Sequence, residues 1–470
     1  MWTGTDTRLV VTAAVVVVVV IVLITSRLRL HAFPALMVGS LALGLVAGLG
    51  ASKTVDSFTD GVGGTLGDVG VVLGLGTMLG KLLAESGGAD LLAETLLRRA
   101  GHRMLPWAVA LLAMVLGIPL FFEIGVVLVL PVVFTVAMRM DRRADGRSPI
   151  LLVGIPALAG LSALHAFIPP HPGPLVAVDA LHADLGQTLL LGVLVAIPTV
   201  AIAGPLFAHV ASRRAVADPP AELLSSPAGS RVGAGDSADG ARSGPSPVAG
   251  PGADAASRPG LTAPLATILL PVVLMLLRTI AEVALPDGSG IRAAAEFVGE
   301  PIVALWTFGF RRGLDGAAVS KLAAAGLVPA ASIFVIIGAG GGFKQVLVDS
   351  GVGDSIAKAA TATGVSVLLL AWFVAVLIRL ATGSATVATV TASGIVAPVL
   401  AASPGTSPVL AVLAVGAGSV FFSHVNDAGF WLVREYFGMS VRDTFRTWSV
   451  METLVSVVGL LAVLAASLVV

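Results

Sequence analysis

Long apolar runs separated by short polar turns dominate the chain, and their lengths predict helices. Leu9 to Ile24, Phe33 to Leu49, Ile150 to Ile168 and Thr188 to Val210 each suit a membrane-crossing helix, and Ser449 to Val470 closes the chain in the same way. Leu265 to Leu285, Pro301 to Phe310 and Val328 to Gly342 add apolar spans in the second half, with an amphipathic piece from Arg311 to Lys321. The windows are too long and too uniform for the alternating strands of an outer-membrane barrel. The valine run Val15 to Val20 would favour a strand in water, yet in lipid a lone segment satisfies its backbone only as a helix.

Four interruptions of this pattern carry polar groups. The first lies in Met104 to Met138, where Gly117, Pro119 and Gly125 surround Glu123, the only charged residue between Arg103 and Arg139. Holding a carboxylate in an apolar medium costs several kcal/mol, so Glu123 is either functional or paired with a neighbouring span. The basic clusters Arg98, Arg99, His102, Arg103 and Arg139, Arg142, Arg143, Arg147 both read as cytoplasmic, so the segment between them enters and leaves on one side. One helix of about 35 residues would be about 50 Å long against a core of about 30 Å, which favours a re-entrant hairpin or two short spans.

The second interruption is Pro169 to Pro174, flanked by His165 and His171; their spacing across two prolines is not that of a helical zinc pair. The third, Arg379 to Thr389, breaks the apolar segment Val365 to Leu400. There a glycine followed by hydroxyl residues suits a half-helix whose free N–H groups hold a carboxylate, although such hydroxyls also bond back to their own backbone. The fourth, Ser419 to Trp431, places His424, Asn426 and Asp427 at membrane depth. Ser52 to Asp56 reads as a polar turn, the glycine-rich stretch Gly61 to Gly80 as close helix packing or unwound backbone, and Met78 to Asp90 as amphipathic.

Shifting the first half by 264 positions superposes Glu85, Ser86, Gly87 and Asp90 on Asp349, Ser350, Gly351 and Asp354, and carries the Glu123 region onto the Thr382 to Thr389 break. An internal repeat follows, the usual architecture of a secondary transporter. Residues 1–212 form one membrane half and 262–470 the other. Between them, 213–261 is a Pro-, Gly-, Ser- and Ala-rich linker expected to be disordered.

Composition narrows the class. With 56% hydrophobic and 12% charged residues and a mean hydropathy of +0.98, this is a polytopic membrane protein of all-α class. A net charge of zero offers no basic face to nucleic acid, and the absence of cysteine excludes disulfides and thiolate chemistry. No metal or cofactor is expected.

Five motifs then carry a resemblance. They are Gly74 to Ala89, Leu120 to Gly125, His165 to Pro174, Gly383 to Ala388 and Ser423 to Trp431. They are spread over nearly the whole chain and closely resemble the gluconate permease family of proton symporters. The resemblance implies a multi-pass protein of the bacterial cytoplasmic membrane, not an enzyme. It also implies two inverted-topology repeats with re-entrant hairpins and broken helices, usually assembled as a homodimer. The expected partners are a small carboxylate, protons and the bilayer. Substrate is expected at Thr382, Gly383, Ser384, Ala385, Thr386, His165, His171 and Asn426, and proton coupling at Glu123, Asp427 and His424. Sodium coupling, a D-serine-type substrate and an intramembrane enzyme remain as alternatives.

Overall fold

The computed structural model describes residues 3–25, 30–85, 101, 104–118, 122–140, 147–169, 171–219, 331–352, 365–425 and 427–469. It also describes 273, 274, 277, 281, 289–298, 320, 321, 324, 325, 327, 328, 355 and 358. The expected 213–261 linker lies almost wholly outside the described residues, as do the Arg311 to Arg312 start of the amphipathic piece and Asn426.

Every regular element among the described residues is helical. The N-terminal spans form α1 (Gly4–Thr25) and α2 (Ala32–Ala47), followed by α3 (Ala51–Glu85). The first interrupted segment forms α4 (Leu105–Gly117) and α5 (Phe122–Arg139). Then come α6 (Pro149–Phe167), α7 (Pro172–Ala180) and α8 (Leu185–Ala201), the last running on through a π turn (Ile202–Leu206) to Ala211. Beyond the linker lie α9 (Gly290–Val298), α10 (Ala331–Asp349), α11 (Val367–Thr382) and α12 (Ala385–Ala401). The chain ends with α13 (Pro408–Ser419), α14 (Ala428–Tyr436), the short α15 (Val441–Thr444), a π turn (Phe445–Ser449) and α16 (Val450–Ala466). Among the described residues, four stretches are long and apolar enough to cross a membrane: Pro149–Ala180, which contains the break between α6 and α7, and Leu185–Ala211, Ala331–Asp349 and Val441–Ala466.

The second, third and fourth interruptions read from the sequence separate helices in the structure, and at the first α4 ends at Gly117 and α5 begins at Phe122. One reading needs correction: Ser52 to Asp56 is not a turn but the start of α3. Gly48 and Gly50, with φ of +92° and +86°, make the turn just before it. Both occupy the left-handed region that favours glycine. Thr54 then donates to the Gly50 carbonyl (2.6 Å) and is buried.

Two apolar clusters organise the described helices. One joins α1 and α2 to Phe58 of α3 and to α10; the other joins α4 to α8 with α11 to α16. The glycine-rich α3 stays continuous, and Gly61 marks its close approach to α10. At its crossing with α10, a Cβ on Gly61 would sit 2.3 Å from the Gly341 carbonyl oxygen. A Cβ on Gly341 would sit 2.5 Å from the Gly61 carbonyl oxygen and 2.4 Å from Thr65 Oγ1. The backbones touch there, which only small residues permit.

Because both obstacles at Gly341 belong to a packed helix, Gly341→Ala is expected to destabilise the detergent-purified protein by about 1–3 kcal/mol. Gly63→Ala, at a position with nothing within 4 Å of the added Cβ, is expected to be neutral or slightly stabilising. Thermal unfolding of the two variants side by side checks this.

Candidate functional site

The site forms where α11 gives way to α12. Gly383, at φ +72°, ends α11 in the left-handed region, and its N–H donates to the Arg379 carbonyl (2.9 Å). Ser384 then caps α12, its Oγ accepting from the Val387 N–H (3.3 Å). Thr382 is absorbed locally, donating to the Ile378 carbonyl (2.8 Å) and accepting from the Ser384 N–H (3.4 Å). The N–H groups of Ala385 and Thr386 open the helix, where no intrahelical carbonyl precedes them to accept.

A second helix start faces the first. Asp427 caps α14, its Oδ1 accepting from the Gly429 N–H at 2.8 Å. Its Oδ2 accepts from Arg379 and from the Ser423 hydroxyl, and Trp448 Nε1 donates to the same hydroxyl at 2.7 Å. Arg379 is 4% exposed and Asp427 13%, so this ion pair is largely withdrawn from solvent and spans from α11 to the α14 cap. Arg379 is held by Asp427, and Asp427 by further hydrogen bonds as well, as a desolvated pair requires. Among the described residues, Arg379 Nε nevertheless has no partner.

Between these helix starts lies a cavity of about 320 Å³. Arg379, Thr382, Gly383, Ser384, Ala385 and Thr386 line one side, and Asp427, Ala428 and Gly429 another. Phe122, at the start of α5, and Trp448 close it as an aromatic wall, their ring centroids 5.4 Å apart. Ser162 and His165 of α6 and Glu452 of α16 complete the polar lining, and Ser162 donates to the fully buried Glu452 carboxylate. His165 Nδ1 is buried without a partner.

The expected residues therefore divide. Thr382 to Thr386, His165 and Asp427 share one cavity. His171 and His424 do not line it. His171 packs edge-on against His165, ring centroids 5.7 Å apart, with its Nε2 2.9 Å from the Gly117 carbonyl at the end of α4. His424 Nε2 lies 3.0 Å from the Leu380 carbonyl near the end of α11. In each half, then, a histidine from the second break clasps the last turn of the helix before the first break. Glu123 lies in the first turn of α5, next to cavity-lining Phe122; its side chain is outside the described residues.

Sequence reasoning missed Arg379, Glu452, Ser162 and Trp448 as site residues. The signal existed for two of them. Arg379 is the only charged residue between Lys358 and Asp427, and Glu452 the only one after Arg446, so the argument that singled out Glu123 applies equally to both.

Comparison with known proteins gives a consistent picture. The family model described as GntP family permease matches residues 8–469. A gluconate permease of Pseudomonas aeruginosa is 50% identical over 99% of this chain and 98% of that protein. The high-affinity gluconate transporter of Escherichia coli K12 is 42% identical over 95% and 97%. The Gnt-II system L-idonate transporter of the same organism is 40% identical over 93% and 94%. Among solved structures, the Alcanivorax borkumensis YdaH transporter matches with a TM-score of 0.56 at 18% identity, covering 93% of this chain and 97% of that one; it speaks to the fold alone. With the match spanning nearly the whole sequence, the chain is a multi-pass inner-membrane protein and belongs to the GntP permease family.

Proposed function

We propose that this chain imports gluconate, or a related small hydroxycarboxylate, together with protons. The observation that carries the reading is the buried Arg379 guanidinium beside the open N-terminus of α12, on the wall of a 320 Å³ cavity. That volume sits at the low end of the range of about 300–1,000 Å³ usual for small-molecule sites. A guanidinium and helix-start amides together form a carboxylate seat. The hydroxyls of Ser162 and Thr386 and the unpartnered His165 Nδ1 offer hydrogen bonds to a polyol chain. The names of the relatives, gluconate and L-idonate transporters, support the same substrate class.

Alternating access of two inverted repeats is the movement proposed around this seat. Moved by 264 positions, α4 falls on 369–381, inside α11, and α5 falls on 386–403, against α12. A glycine contact of the same kind recurs in the second half, though offset by a few residues from that shift. Gly160 of α6 faces the Ala110 carbonyl and Ala113 Cβ on α4, and Gly418 of α13 faces the Trp372 carbonyl and Ala375 Cβ on α11. The twin histidine clasps also fit this relation. At 1.5 Å per residue the 13 residues of α4 reach about 20 Å against a core of about 30 Å, which suits a hairpin arm that enters and returns.

Radiolabelled gluconate uptake into proteoliposomes tests the reading. Excess L-idonate is expected to compete, whereas sorbitol, which keeps the hydroxyls but lacks the carboxylate, is expected not to, because the seat would be left unpaired. Equal competition by sorbitol would defeat the proposed seat.

Arg379→Lys retains a cation for Asp427 but loses the planar fork, and is expected to raise KM about 10- to 100-fold, matching about 1.5–3 kcal/mol for hydrogen bonds to a charged group. Arg379→Gln leaves Asp427 buried without its cation, a loss of about 3–5 kcal/mol that is expected to show as poor recovery of folded protein. Uptake kinetics and size-exclusion profiles of the two variants separate binding from folding.

A further inference from the structure

We propose that Glu452 carries the coupling proton, binding it in the cavity together with the substrate anion. This rests on the carboxylate-import reading above and assigns its proton to one residue.

The first ground is position. Glu452 lies in the first turn of α16, is 2% exposed and lines the cavity with Arg379 and Asp427. Its hydrogen-bond partner among the described residues is the Ser162 hydroxyl, a neutral donor from α6. Asp427 instead has both oxygens committed, one to the α14 cap and one to Arg379 and Ser423.

The second ground is charge. Among the described residues, the cavity lining brings one formal positive charge, on Arg379, and two formal negative charges, on Asp427 and Glu452. A third carboxylate, from the substrate, would raise the imbalance in a desolvated space, where uncompensated charge is costly. A proton on Glu452 removes one negative charge as the anion adds another. Anion and proton then favour each other's binding, and by linkage the favour is reciprocal. A protonated carboxyl can also donate to the Ser162 oxygen, so the contact survives the change of state.

Among the described residues, the elements packed on α16 do not bring a competing group into this contact. Helices α8 and α13 and the Ile202–Leu206 turn carry no titratable side chain. Helix α6 brings His165 alone, which faces the same cavity. Its neighbour His171 is engaged with the Gly117 carbonyl. Within the chain segment that leads into α16, Arg442, Asp443 and Arg446 precede it in sequence, and none of the three lines the cavity.

In one cycle the proton comes from water on the side of higher proton concentration. It rests on a Glu452 oxygen while substrate is bound, and it leaves to water on the other side after the repeat movement.

The test compares wild type with Glu452→Gln and Glu452→Asp in proteoliposomes, with an imposed proton gradient and no sodium. Two quantities are measured: gluconate accumulation, and gluconate counterflow without a gradient. Wild type is expected to accumulate gluconate above equilibrium. Glu452→Gln is expected to keep measurable counterflow while accumulation falls to the equilibrium ratio. Glu452→Asp, which keeps the carboxyl, is expected to retain partial accumulation. In unbuffered detergent solution, gluconate addition is expected to take up about one proton per wild-type protein and none with Glu452→Gln. Gradient-driven accumulation by Glu452→Gln at the wild-type level overturns the proposal. So does loss of counterflow and accumulation together in both variants, which would make the residue structural. Accumulation by wild type only when sodium is present also overturns it. Absence of gluconate counterflow from wild type would instead remove the substrate reading, and this proposal with it.

Discussion

The buried ion pair between Arg379 and Asp427 is the contact on which the site depends. Two helix ends in an apolar surrounding leave backbone donors and acceptors that must be satisfied locally, at several kcal/mol for each one left bare. Here the two ends are satisfied against each other. Arg379, one turn from the end of α11, reaches the aspartate that caps α14, and that aspartate also takes the Ser423 hydroxyl and the Gly429 N–H. The pair fixes two helix starts about one cavity and leaves Arg379 Nε without a partner among the described residues. In the proposed reading, an incoming carboxylate meets both this cation and the amide end of α12.

This arrangement explains why breaks rather than spans hold the chemistry. A continuous membrane helix presents side chains but keeps its backbone groups to itself, whereas a broken one offers N–H groups and room at the break. The aromatic pair Phe122 and Trp448 walls the space, and Ser162, His165 and Glu452 add polarity to it. Exposed valines such as Val11, Val15, Val18 and Val22 on α1 suit contact with lipid and carry none of this chemistry.

Much of the fold was legible in the sequence, because a bilayer leaves few ways to satisfy a backbone and because proline and glycine mark where a helix must stop. Gly383, Pro172 and the Ser419 to Asp427 interval each ended or began a helix as expected. The Ser52 to Asp56 error came from reading polarity as a turn, when the positive φ of Gly48 and Gly50 had already made one. The site was half legible. The hydroxyl-rich break stood out by composition. Arg379 and Glu452 stood out only as lone charges in apolar stretches, and what each does depends on partners that meet it after folding: Asp427, 48 residues from Arg379, and Ser162, 290 residues from Glu452.

The most direct test of the account uses the absence of native cysteine. Ala385→Cys places a single thiol on the cavity wall at the first residue of α12, where the proposed reading seats the substrate carboxylate. Gluconate is expected to slow its labelling by a small membrane-permeant maleimide in a concentration-dependent way, and sorbitol at the same concentration is expected to leave the rate unchanged. A labelling rate that gluconate does not alter, in a variant that still transports it, would contradict the placement of the carboxylate at this helix start.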